Sequence, residues 1–141
     1  MAFDKEKALK MCNDYSKNTL METLGIVYTD AAEGYLQATM PVTPRVHQPM
    51  GLLHGGATVA LAETLGSIGA QLAVDQSKYA CVGLEINANH IRSVKEGFVY
   101  GKVTPLHVGR STQIWEIKIT NEENKLVCVS RLTVAIVDAN R

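Results

Sequence analysis

Apolar residues recur along this chain on two periods, and the changes of period divide it into elements. Between residues 4 and about 17, Ala8, Met11, Cys12 and Tyr15 fall at helical spacing with polar residues between them, which predicts an amphipathic helix. Asn18 and Thr19 interrupt it, and the segment up to Gly25 adds one more turn. The stretch 26–42 predicts two short strands around a turn near residues 32–34, with Pro41 and Pro44 ending the second. A loop with apolar knobs follows. From Gly56 to about Val74 the period is helical again, but apolar residues cover most sides, the mark of a buried helix. Strand-like runs then occupy 79–91, 96–107, 111–120 and 125–137. In the third, Trp115, Ile117 and Ile119 alternate with Ile114, Glu116 and Lys118; the fourth is apolar on both alternations.

One long buried helix with five or six strands, mostly joined by short hairpins, predicts an α+β fold in which an antiparallel sheet curls round the helix. The 141 residues suit a single domain, 1–141, with an N-terminal helical segment over 1–24. Hydrophobic residues at 46% supply one sizeable core. Lys plus Arg balance Asp plus Glu at 14 each, so no broad basic field is present for nucleic acid or a membrane surface. The long apolar helix carries Glu63 near its middle, which argues against a membrane span. Cys12, Cys81 and Cys128 are scattered, and the four histidines have no metal-ligand spacing. A charged N-terminus without an apolar signal core completes the expectation of a cytoplasmic protein without metal or cofactor.

Two features carry chemistry. His54-Gly55-Gly56 leads into the long helix, whose first turn leaves N–H groups unpaired at the positive end of its dipole. Glycine lets another group approach that backbone, so the Gly55 N–H is placed to polarise a carbonyl oxygen, with His54 and Gln48 as orienting or donating neighbours. The plain alternative is that the glycines serve only tight packing of the helix start. The second feature is Glu63. Its neighbours Val59, Ala60, Ala62 and Gly66 are small and apolar and would desolvate a carboxylate. Ser67, four residues on, shares its helix face. The alternative reading pairs Glu63 with a strand or turns it to solvent. Eight residues separate Gly55 from Glu63, a helical rise of about 12 Å. A reacting group must stand within about 3–3.5 Å of the carbonyl it attacks. If both act in one site, they come from different chains, and a two-fold dimer creates two such sites.

Together, "GLLHGGATVALAETLGS", the upstream Gln48 and the downstream "VGLEINANHIRS" resemble the hotdog-fold acyl-CoA thioesterases. The resemblance is strongest to the subgroup with a helix glutamate, which includes hydrolases of 1,4-dihydroxy-2-naphthoyl-CoA and hydroxybenzoyl thioesters. It spans most of the chain, from about Leu24 to Ile136. It implies that Glu63 is nucleophile or general base, that the Gly55 amide polarises the thioester carbonyl with His54 and Gln48 in support, and that Ser67 places water. It also implies dimers paired into homotetramers, and menaquinone biosynthesis as the setting. For the coenzyme A end it implies Gly83 beside the thioester, and two groups along the nucleotide and pantetheine channel: His90, Ile91, Arg92 and Ser93, then His107, Val108, Gly109, Arg110, Ser111 and Thr112. Each group joins an arginine to small hydrogen-bonding groups, which suits phosphate, although an arginine at a turn is often only a surface residue. The expected activity is hydrolysis of an aromatic acyl-CoA. The alternatives are a broad-specificity medium-chain acyl-CoA thioesterase, a hotdog dehydratase, and a non-enzymatic acyl-CoA-binding protein.

Overall fold

The structure, a computed structural model, describes residues 2–140. Asp4 caps helix α1 (Lys5–Tyr15) by accepting from the Lys7 N–H, and Gly25, with φ of 72°, ends the short helix α2 (Leu20–Leu24). Strands β1 (Val27–Ala32) and β2 (Tyr35–Pro41) form a hairpin. The long helix α3 (Gly55–Leu72) follows, then β3 (Tyr79–His90), β4 (Phe98–Val108), β5 (Thr112–Thr120) and β6 (Leu126–Asp138).

The six strands form one antiparallel sheet in the order β1-β2-β4-β5-β6-β3. This is the expected α+β hotdog arrangement. β4, β5 and β6 are joined by hairpins, whereas β3 crosses to the far edge and pairs with β6 rather than with its sequence neighbour β4. That order depends on pairing across the whole sheet, which local spacing does not carry.

α3 lies on the sheet through Thr58, Leu61, Ala62, Leu65, Gly66, Gly69 and Ala70. Facing it are Val99, Val103, Trp115, Ile117, Leu132 and Val134, all buried. The approach is close. A Cβ on Gly101 would stand 2.4 Å from Leu65 Cδ1, and one on Gly66 would stand 2.6 Å from Leu132 Cδ2. Gly101→Ala is therefore expected to cost about 1–3 kcal/mol by overpacking, read from denaturant unfolding. β5 alternates as expected, with Trp115, Ile117 and Ile119 inward.

The two sheet edges differ. α1 covers β1: the Asn13 carboxamide donates to the Tyr28 C=O at 3.1 Å and accepts from the Tyr28 N–H at 2.9 Å, taking the place of a neighbouring strand. β3 forms the opposite edge, with Val82 and Leu84 exposed.

Candidate active site

The loop before α3 is held tightly. The His54 N–H donates to Val46 C=O, the Leu53 N–H to Val94 C=O and the Gln48 N–H to Leu52 C=O, each at 2.8 Å. Gly51, at φ of 78°, closes the turn by donating to the Gln48 carbonyl. The Gln48 side-chain oxygen accepts from the Met50 N–H, which leaves its NH2 group as the part free to meet a ligand.

His54 is the N-cap of α3. Its Nδ1 accepts from the Gly56 N–H at 2.8 Å, so in the neutral ring Nε2 carries the proton. This cap sets the helix start at Gly55. Gly55 becomes the first helical residue, and its N–H has no partner within the helix. The His90 ring rests on Gly55: a Cβ there would lie 3.1 Å from His90 Nε2. Gln48, Gly55, Thr58, His90, Ile91, Arg92 and Ser93 line one cleft of about 340 Å³. Arg92 is held at its rim by donating from Nη1 to the Leu126 carbonyl at 2.8 Å.

Glu63 departs from expectation. Its apolar neighbours do not desolvate it within the single chain, where it is exposed and, among the described residues, forms no ion pair. The sheet covers one face of α3, and Glu63 lies on the flank of that face beside the sheet edge, with half-buried Ser67 one turn on. Its Oε2 lies over Gly83 of β3, 3.7 Å from the point a Cβ there would occupy. The continuous helix keeps it about 12 Å of rise from Gly55.

The remaining residues form a separate group. His107, Val108, Gly109, Arg110, Ser111 and Thr112 make the β4–β5 turn, closed by the Gly109 N–H on Thr112 C=O and tied to β6 by the Ile136 N–H on Ser111 C=O, both at 2.9 Å. Val108, Gly109 and Arg110 border a second cleft, of about 260 Å³, beside Tyr79. Tyr79 and His90 are opposite ends of β3, roughly 36 Å apart for an extended strand. Within one chain, the Arg92 and Arg110 groups therefore do not share a channel.

A family model described as the thioesterase superfamily matches residues 50–128, which include the end of the loop, α3 and both arginine groups; Gln48 lies just ahead of the match. The chain belongs to the thioesterase superfamily. The proofreading thioesterase EntH of Cronobacter sakazakii is 48% identical over 136 residues, covering 96% of this chain and 98% of its own. A solved variant of thioesterase PA1618 from Pseudomonas aeruginosa is 45% identical with a TM-score of 0.90, covering 92% of this chain and 94% of its own. Thioesterase HI1161 from Haemophilus influenzae is 43% identical with a TM-score of 0.92, covering 100% and 95%.

For a thioesterase, the other reactive groups in the chain are ill suited as nucleophiles. Burial pushes the thiols of Cys12, Cys81 and Cys128 up, which keeps them protonated at neutral pH. Among the described residues, no group of three or more His, Cys, Asp or Glu could hold a metal, and no helix is long and apolar enough to cross a membrane. Gln71, on the last turn of α3, bonds the free edge of β3 through its carboxamide, a role its sequence context does not signal. A glutamine near a helix end has the same pattern as one that faces solvent, so nothing in the spacing marked it.

Proposed function

We propose that this thioesterase hydrolyses acyl-CoA esters, aromatic ones foremost, at sites shared by two subunits. The observation that carries the reading is the separation of Gly55 and Glu63 along one rigid helix, combined with an unpaired β3 edge beside Glu63. Two β3 strands joined antiparallel about a two-fold axis bring the Tyr79 end of one beside the His90 end of the other. This sets Glu63 of the partner subunit toward Gly55, and Arg110 of the partner subunit toward Arg92. The two arginine groups, far apart in one chain, then flank one channel.

In that site the Gly55 N–H and the α3 dipole polarise the thioester C=O, with the Gln48 NH2 as a second donor. His54 fixes the helix entrance through its cap. Glu63 either takes a proton from water, which attacks the carbonyl carbon, or attacks directly to give an anhydride that water then opens. Ser67 lies one turn along and orients that water. Both routes break the C–S bond, deliver the proton to the thiolate, and yield free acid and coenzyme A. An isotopically labelled oxygen entering the Glu63 carboxylate in a single turnover would select the second route.

We take 1,4-dihydroxy-2-naphthoyl and hydroxybenzoyl groups as the first acyl groups to test, with medium-chain acyl groups as the broader alternative. Thiol release from this panel, followed with a thiol reagent, tests the reaction; ligand binding without thiol release would leave only a binding protein. Arg92→Ala is expected to raise KM by about tenfold for full coenzyme A esters, the loss of one charge-assisted contact, and to leave shortened pantetheine thioesters unchanged. Equal loss on both would remove Arg92 from the nucleotide end. Sedimentation tests the further pairing of dimers into tetramers.

A further inference from the structure

The free edge of β3 is not uniformly open. The Lys78 C=O accepts from the Ala139 N–H on the β6 side, and alternation along a strand then turns Tyr79 and Cys81 the other way, toward the free edge. Two of those outward groups, the Tyr79 C=O and the Cys81 N–H, are already occupied. Gln71 donates from Nε2 to the Tyr79 C=O at 3.3 Å, and its Oε1 accepts from the Cys81 N–H at 3.0 Å. The contact reproduces the clip that Asn13 places on Tyr28 at the other edge. Beyond the bulge between Gly83 and Glu85 the alternation reverses, because the Ile91 N–H bonds Val127 C=O on the β6 side. Ile86, Ala88 and His90 therefore present free N–H and C=O groups outward.

We propose that Gln71, by occupying the β3 edge at Tyr79 and Cys81, sets the register in which two β3 strands pair and so places Glu63 of the partner subunit at Gly55. The inference rests on the shared-site reading above. With residues 79–81 blocked, pairing runs from Val82 to His90, whose middle residue is Ile86. A two-fold axis at Ile86 sets Asn89 opposite Gly83 of the partner subunit, to within one residue for the bulge. Gly83 is where Glu63 rests, and His90 is the side chain that rests on Gly55. The carboxylate of one subunit thus arrives about one strand spacing, ~4.8 Å, from the residue that touches the other subunit's carbonyl site. Were Tyr79 and Cys81 free, pairing could extend toward Tyr79 and move the axis from Ile86 to Glu85, close to the middle of the whole strand. A slip of two residues moves one strand past the other by about 6.6 Å, far more than a near-attack geometry tolerates. Gln71 is on this account a positioning residue: it touches neither substrate nor the reacting atoms.

Glu85 and Asn87 are exposed on the outer face of β3 and report the register directly. In a Cys81→Ser background of the full chain, the paired substitutions Glu85→Cys and Asn87→Cys are expected to give a disulfide-linked dimer under mild oxidation, because 85 faces 87 across an axis at Ile86. Each single substitution is expected to give little crosslink, since it meets its own copy only in a slipped register. Adding Gln71→Leu should let a single substitution crosslink, and should lower kcat at least tenfold while the dimer mass stays unchanged. Gln71→Glu, which keeps the acceptor for Cys81 and loses the donor to Tyr79, should fall between. Single substitutions that crosslink as fast as the pair with Gln71 intact would overturn the register. Gln71→Leu that leaves crosslinks and kcat unchanged would overturn the role of Gln71. The expected crosslinks without any thiol release would support the register and sink the proposed reaction.

Discussion

Glu63→Ala is expected to lower kcat for thioester hydrolysis roughly 100- to 10,000-fold, the range found when a positioned acid–base group is removed. Fold stability should barely change, because the carboxylate is exposed in the single chain and forms no ion pair there among the described residues. The combination is what makes the result informative. A buried structural glutamate would lose stability and activity together, and a solvent-facing one would lose neither. Glu63→Gln sharpens the test: it keeps size and hydrogen bonding while removing the basic oxygen, so it should be nearly as inactive as Glu63→Ala. Thiol release under saturating substrate gives kcat, and thermal unfolding gives the stability. Near wild-type turnover in either variant would remove Glu63 from the chemistry.

Local order was legible where one residue type has one physical use. The Trp115, Ile117 and Ile119 alternation marked the inward face of β5, and Gly25 marked a helix end through its positive φ. The helix entrance was legible for a similar reason: two glycines open the backbone at a helix start. That His54 caps α3 by accepting from the Gly56 N–H depends on its side-chain orientation, which spacing does not carry. Other features escaped because they depend on what comes from far along the chain. An apolar helix signals that its faces will be covered, but not by which chain. The apolar neighbours of Glu63 in sequence leave both a desolvated and a solvent-facing carboxylate open, and the sheet of its own chain leaves it exposed. The passage of β3 to the far edge could not be read from loop lengths, and with it went the distance between the Arg92 and Arg110 groups. His90 shares the Arg92 cleft, and only the turn at the strand end, which sequence does not show, reveals that its ring also rests on Gly55.

Two inactive chains are expected to make an active dimer. Let one chain carry Glu63→Ala and the other Gln48→Ala, each with its own affinity tag, and purify the mixed species through both tags. In a two-fold dimer with shared sites, one site of the mixed dimer receives both defects. The other receives intact Gln48 and Gly55 from one subunit and intact Glu63 from its partner. The mixed dimer should therefore turn over at about half the wild-type rate, while each parent homodimer stays at least tenfold lower because both of its sites are damaged. The geometry of α3 makes the alternative quantitative as well. If each site were built within one chain, every chain in the mixture would carry a defect, and the mixed dimer could do no better than the mean of its parents. That ceiling lies well below half, so one rate measurement on a doubly purified sample separates the two arrangements. It does so without any assumption about whether Glu63 acts as nucleophile or base. It is also independent of the acyl group, provided both parents are assayed with the same thioester. Recovery to about half would mean that the helix rise between Gly55 and Glu63 is bridged by pairing two chains rather than by bending one.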